Sequence, residues 1–131
     1  CYEILFSSYL SSYLNSTKTH PNFILNLTND SWYGDTSEPY QHLFLAKWRS
    51  LEFQLPLVRM TNTGITSITY PDGSESKRLL PYQEDILDID LPIIQSSPTF
   101  YQQFGLYSLF ALWFVLFILQ TLVGLLTKRQ R

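Results

Sequence analysis

Switches of hydrophobic period along the first hundred residues, followed by a long uncharged apolar run, predict a mixed α/β domain joined to one membrane-spanning helix. Three observations carry that expectation. Apolar residues at helical spacing alternate with short runs rich in β-formers, which is the pattern of an α/β or α+β domain. The stretch Leu106–Leu126, LYSLFALWFVLFILQTLVGLL, holds no charged residue in 21 positions. Composition, at 45% apolar and 16% aromatic, is too hydrophobic for a disordered chain, and 131 residues suffice for one modest core.

Phe6, Tyr9, Leu10, Tyr13 and Leu14 fall on one helical face, and Pro21-Asn22 then leads into the strand-like run Phe23–Thr28. The polar stretch Asn29–Glu38 reads as a loop, and Pro39 suits the first turn of a following helix. Tyr40, Phe44, Trp48, Leu51 and Leu55 mark an apolar stripe on that helix, which runs to about Gln54 before Pro56 stops it. Strands are expected over Leu57–Thr61 and Ile65–Tyr70, separated by Asn62-Thr63-Gly64 and followed by the turn Pro71-Asp72-Gly73-Ser74. Leu87, Ile89 and Leu91 alternate with Asp88 and Asp90, which predicts one more strand with a wet face. Pro92–Thr99 reads as an irregular connection to the membrane.

At about 1.5 Å per residue the apolar run reaches roughly 31 Å, the thickness of a bilayer's hydrocarbon core. Phe100, Tyr101, Phe104 and Tyr107 before it are aromatic residues of the kind that settle at headgroup level. No Lys or Arg lies between Arg78 and Lys128, whereas Lys128, Arg129 and Arg131 follow the run at once. The positive-inside rule therefore puts the carboxyl terminus in the cytoplasm and residues 1 to about 100 outside. Up to Thr127 the chain has six basic residues against eleven acidic ones, so it offers no phosphate-tracking surface and nucleic acid is excluded as a partner.

Cys1 is the one cysteine of the chain, and no intrachain disulfide is open to it. Taken alone it is a reactive thiol, a lipid attachment point or a small apolar residue. The loop Asn29–Asp35 follows a strand, where α/β enzymes place site residues. Asp30, Asp35, Glu38 and His42 match no compact ligand spacing, so no metal is expected there. His20 reads as an exposed turn residue, Arg49 and Glu52 as an ion pair three apart on a helix. The Asn-x-Ser/Thr triplets at Asn15, Asn26 and Asn29 are read as chance, two of them lying in or beside the strand and loop.

Several motifs occur in order: Cys1-Tyr2-Glu3, Asn29-Asp30-Ser31-Trp32-Tyr33-Gly34-Asp35, Gln41-His42, Arg49-Ser50-Leu51-Glu52 and Arg59-Met60-Thr61-Asn62-Thr63-Gly64-Ile65-Thr66. Together they resemble the second half of the nitrilase-type domain of the apolipoprotein N-acyltransferases, and the terminal apolar helix with its basic tail fits the same family. The resemblance implies an α/β fold that is the second half of a nitrilase-like four-layer α-β-β-α sandwich, followed by one transmembrane helix. Residues 1–98 would be the carboxyl-terminal part of the catalytic domain, 99–127 the interfacial segment and membrane helix, and 128–131 a basic cytoplasmic tail. It places the protein in the inner membrane, multi-pass at full length, with the catalytic domain periplasmic.

The resemblance further implies a Glu-Lys-Cys catalytic set with Cys1 as nucleophile, its Glu and Lys lying upstream of the chain given. Tyr2 would offer its backbone N–H to the oxyanion and Glu3 would be a supporting carboxylate. Asn29, Trp32 and Tyr33 are the candidate substrate-binding residues. The partners implied are a phospholipid acyl donor, a diacylglyceryl apolipoprotein acceptor and the membrane, with no cofactor. Residues 1–131 alone are expected to be inactive. One departure concerns the helix behind the nucleophile, where the family's Phe-Pro-Glu is replaced by Phe6-Ser7-Ser8 and no Arg appears before Arg49. A membrane-anchored amidase or nitrilase, or a non-enzymatic tail-anchored interaction domain, are the alternative readings.

Overall fold

The computed structural model describes residues 2–94 and 97–129, with side chains to Gly124. A 3-10 turn over Tyr2–Leu5 leads into helix α1, Ser7–Ser16. Strand β1, Ile24–Thr28, is joined by a second 3-10 turn, Ser31–Tyr33, to helix α2, Glu38–Phe53. Strands β2, Leu57–Thr61, and β3, Ser67–Thr69, complete the sheet. A short helix α3, Phe100–Phe104, precedes the long helix α4, Tyr107–Arg129.

The sheet order is β1-β2-β3. β1 and β2 run parallel, Ile24 opposite Leu57 and Thr28 opposite Thr61, so β1-α2-β2 is a crossover unit; β3 returns antiparallel, Leu57 opposite Thr69. The mixed α/β class read from the sequence is therefore present. Residues 85–94 carry no ladder, which corrects the strand expected over Leu87–Leu91. The alternation itself survives, since Leu87, Ile89 and Leu91 are half-buried and Asp88 and Asp90 exposed, and those apolar side chains line the hollow over Val58, Met60 and Ile68. Period-2 burial thus needs only a groove to lie along, not a hydrogen-bonded partner. β3 likewise starts two residues later than expected, because Thr66 is spent on an isolated bridge to Leu79 and on a side-chain bond to the N–H of Thr61 (3.1 Å).

The helices cover one face of the sheet. Ile4, Ala46 and Leu57 form one buried cluster, and Leu14, Phe53 and Leu55 a second, with Leu10 and Ile24 touching both. The predicted apolar stripes of both helices are corrected by this packing. On α2 the buried side is His42, Leu43, Ala46, Arg49, Ser50 and Phe53, while Tyr40, Phe44 and Trp48 are exposed. On α1 Leu10 and Leu14 face inward, and Tyr9 and Tyr13, like Phe6 just before the helix, face out. The cause is spacing: Ala46 and Ser50 are both wholly buried and let α2 lie close to the strands, where an aromatic ring would hold it off. Ser50 also closes the α2–β2 turn, its hydroxyl within 2.6 Å of the Leu55 carbonyl and 3.0 Å of that of Thr69.

The far face of the sheet is open toward β1, with Leu25, Leu27 and Met60 each more than half exposed. At the other end α3 is clasped to the domain by polar contacts. Thr99 caps it through the Gln102 N–H (3.0 Å) and bonds the Glu52 carbonyl (2.6 Å). Gln102, 1% exposed, donates from Nε2 to Asn15 (2.9 Å) and accepts at Oε1 from His20 (3.1 Å), so His20 is a partner in this clasp and not the exposed turn residue expected. In α4 the window Tyr107–Gly124 has a mean hydropathy of 1.9 and buries nothing, and is long and apolar enough to cross a membrane. The basic tail expected over 128–131 falls outside the described side chains.

Candidate active site

β1 and β2 direct polar residues, not apolar ones, at the helix layer. Ile24, Asn26 and Thr28 share the inward face of β1, Leu57 and Arg59 that of β2. Arg59 is 1% exposed, the largest fully buried side chain described. Its guanidinium donates to Asn26 Oδ1 at 2.8 Å and to Asp30 Oδ2 at 2.7 Å. Asp30, also 1% exposed, stands at the end of β1 and takes His42 Nδ1 on its other oxygen at 3.1 Å. A buried ion pair of this kind has its Coulomb gain offset by desolvation, so it contributes geometry more than stability. Removing one partner is another matter, since the survivor is left charged and dry.

His42 is 5% exposed, and burial foremost, then the Arg59 charge, pushes its pKa below the usual 6.5, against the opposing pull of Asp30. The ring is therefore neutral at neutral pH. Nδ1 stands 3.1 Å from Asp30 Oδ1 and 3.2 Å from Arg59 Nη2, so it donates to the carboxylate in one neutral tautomer and accepts from the guanidinium in the other. Nε2 has no hydrogen-bond partner among the described residues.

The loop after β1 is pinned from the β2–β3 turn. Asn62 Oδ1 accepts the Asp30 N–H (3.1 Å) and its Nδ2 donates to Asn29 Oδ1 (2.7 Å), which also receives the Ser31 N–H (3.0 Å). Gly64 lies against Asp30 so closely that a Cβ there would fall 2.1 Å from Oδ2. With the loop so fixed, Tyr33 donates its hydroxyl to that of Tyr2 at 3.1 Å. That bond, with desolvation second, raises the Tyr33 pKa to about 12. The Tyr2 ring stacks on His42, centroids 6.0 Å apart at 25°, and Tyr33 meets the same imidazole edge-on at 5.9 Å.

The candidate residues thus divide. Tyr2 and Tyr33 come together over His42, and Asn29 supports the loop from behind. Trp32 stands 83% exposed, and Glu3 is exposed beside an open hollow shared with Tyr2, Phe6 and Tyr9. Cys1 lies outside the described residues. Asp30, His42 and Arg59, which the sequence offered in three separate motifs with no role assigned to the cluster, are brought together, Asp30 pairing with both of the others. Among the described residues no group of three His, Cys, Asp or Glu side chains is placed to hold a metal. Arg49 and Glu52 form the expected ion pair at 3.0 Å.

A model of the carbon-nitrogen hydrolase family matches residues 1–98. The chain belongs to the carbon-nitrogen hydrolase family. Within that family it is similar to proteins named apolipoprotein N-acyltransferase: 34% identical over 115 residues to that of Haemophilus ducreyi, 35% over 123 to that of Rickettsia bellii and 41% over 105 to that of Bradyrhizobium diazoefficiens. These stretches cover 88%, 94% and 80% of the chain but 22%, 24% and 19% of the relatives. The chain thus spans about a fifth to a quarter of the length of these relatives. Similarity running past residue 98 extends the match toward the apolar helix, which the family model itself does not cover.

Proposed function

We propose that the chain is the carboxyl-terminal portion of an N-acyltransferase that moves an acyl chain from a phospholipid to the amino-terminal S-diacylglyceryl-cysteine of apolipoproteins through a thioester on Cys1. The observation that carries the reading is the joining of Tyr2, the residue after the thiol, to the Asn29–Tyr33 loop over a buried Asp30–His42–Arg59 cluster, in a chain similar to acyltransferases over at least 80% of its length. The Cys1 thiolate attacks the ester carbonyl, and the Tyr2 N–H receives the negative oxygen. Collapse breaks the ester C–O bond, and the lysophospholipid leaves as its alcohol with a proton from the general acid. The amine of the acceptor then attacks the thioester, forms the amide, gives up a proton and releases the thiolate.

On this reading Glu3 is the supporting carboxylate, Trp32 and Tyr33 meet the lipid, and the base and lysine of the catalytic set belong to sequence before Cys1. Residues 1–98 form the periplasmic catalytic part, 99–127 the interfacial and membrane part, and 128–131 a cytoplasmic tail of an inner-membrane protein. The open sheet face at Leu25, Leu27 and Met60 supports the four-layer sandwich, being where a second sheet would pack. The test uses the full-length protein in detergent with a fluorescent diacylphospholipid. Wild type should form a hydroxylamine-sensitive acyl-enzyme and Cys1→Ser none; transfer retained by Cys1→Ser would sink the assignment. Residues 1–131 alone should form no thioester.

A further inference from the structure

Tyr2 is 58% exposed, so packing alone does not fix it. Of its described contacts, two hold the ring: the stack on His42 and the hydroxyl bond from Tyr33. His42 in turn is immobile. Its Nδ1 is held by Asp30, Asp30 by Arg59 and by the N–H contact to Asn62, and Arg59 by Asn26 on the next strand. The imidazole is therefore a rigid plate, built from β1, α2 and β2, on which the residue following the thiol rests. We propose that His42 is a positioning residue for acyl transfer: its ring holds Tyr2 so that the Tyr2 peptide N–H stands where the oxyanion develops.

The inference rests on Cys1 as nucleophile and goes beyond it by assigning the group that aligns the oxyanion donor. The role fits a histidine whose Nε2 has no partner among the described residues, since a plate works through its ring faces and edge packing and not through its second nitrogen. Among the described residues, the groups facing it are Asp30 from the β1 end, Arg59 from β2, Tyr2 from the first turn and Tyr33 from the second. A phenyl ring of similar shape keeps both aromatic contacts and gives up the bond to Asp30, which stays paired with Arg59.

The experiment compares two reactions of Cys1 in the full-length protein. Acylation by a fluorescent diacylphospholipid needs the oxyanion donor, whereas alkylation by iodoacetamide needs only the thiolate. His42→Ala should slow acylation by about 10–100-fold, the scale of a misaligned oxyanion donor, with alkylation changed less than about twofold. His42→Phe, which keeps the plate, should recover acylation to within about fivefold of wild type, and His42→Gln, which keeps the bond to Asp30 but not the plate, should stay as slow as Ala. Tyr33→Phe, a change at a partly exposed hydroxyl that spares the core, should slow acylation about threefold. Acylation and alkylation falling together in all three His42 variants, or Gln outperforming Phe, or a wild-type rate in His42→Ala, would overturn the proposal. Failure of the underlying reading shows differently, as absence of an acyl-enzyme in wild type.

Discussion

Gly64→Ala is the sharpest probe of the buried cluster, because the clash it creates has one target. An added Cβ would lie 2.1 Å from Asp30 Oδ2, 2.8 Å from its Cγ and 2.9 Å from its Cβ. To reach even a tight 3.0 Å the oxygen must retreat by about 0.9 Å. That oxygen is 2.7 Å from Arg59, the other oxygen 3.1 Å from His42, and the Asp30 N–H is tied to Asn62, so retreat breaks the ion pair. Parting a buried pair costs about 3–5 kcal/mol. Gly73→Ala is the control: it also takes a loop glycine, φ 84°, but its Cβ meets only Leu51 at 3.5 Å, so about 1–2 kcal/mol of backbone strain is its whole cost. Hydrogen exchange of the β2 and β3 amides in the full-length protein reads the difference as local opening. Gly64→Ala should speed exchange by at least about 100-fold and Gly73→Ala by about 5–30-fold, at 1.4 kcal/mol per decade. In an Asp30→Ala background, where only the 2.9 Å Cβ contact survives, Gly64→Ala should add less than about 1 kcal/mol. Equal effects of the two glycine changes in wild type, or full additivity with Asp30→Ala, would refute the reasoning.

Three further outcomes follow from the same geometry. Because burial lowers the His42 pKa, the unfolded chain binds a proton there that the folded chain refuses, so this stability is full above about 6.5 and declines as pH falls from 6.5 toward the folded value; pH-dependent exchange should show the decline in wild type and its loss in His42→Phe. Gln102→Ala removes the bonds to Asn15 and His20 at a cost of about 1–2 kcal/mol, and limited proteolysis should show faster cleavage between residues 92 and 99 with the sheet still protected. A cysteine placed at Ser8 in a Cys1→Ser background should react with a membrane-impermeant maleimide added to intact spheroplasts, and one placed at Gln130 only after permeabilisation; the reverse pattern would invert the proposed topology.

What was legible in the sequence was whatever depends on local period. The strands at Ile24 and Leu57, the helix begun near Pro39 and ended before Pro56, and the apolar run after Leu106 are all present. Which helix face turns inward was not legible, because tight packing on β1 and β2 favours Ala46 and Ser50 over Phe44 and Trp48. The cluster at Asp30, His42 and Arg59 was missed for a related reason. Asn26, Thr28 and Arg59 sit at alternate strand positions on the dry face, made tolerable by pairing with residues 2 to 33 positions distant. The available signal was the coincidence of a polar strand face with the small and polar helix stripe His42-Ala46-Ser50. Of the predicted site residues, Tyr2 and Tyr33 converge because such a cluster lies beneath them, and Trp32 does not because nothing described anchors its ring.

The departure at Ser7-Ser8 also acquires a physical meaning. Ser7, Ser11 and Asn15 recur every four residues and so share one side of α1, and each bonds across to the segment before the membrane helix. The Ser7 hydroxyl is 3.0 Å from both Glu52 Oε2 and the Tyr101 hydroxyl, and Ser11 and Asn15 reach the Gln102 carbonyl at 2.5 and 3.2 Å. A Pro and a Glu in place of the two serines would remove the Ser7 hydroxyl from this side, so the local sequence and the clasp go together. The attachment is made of short, directional bonds around a buried Gln102, with Phe53 and Tyr101 as its aromatic contact at 6.4 Å. Bonds of that kind hold one register and resist sliding, whereas an apolar seam tolerates it. A displacement of α4 would therefore reach Ser7 through α3 with little slack, and Ser7 is six residues along the chain from Cys1.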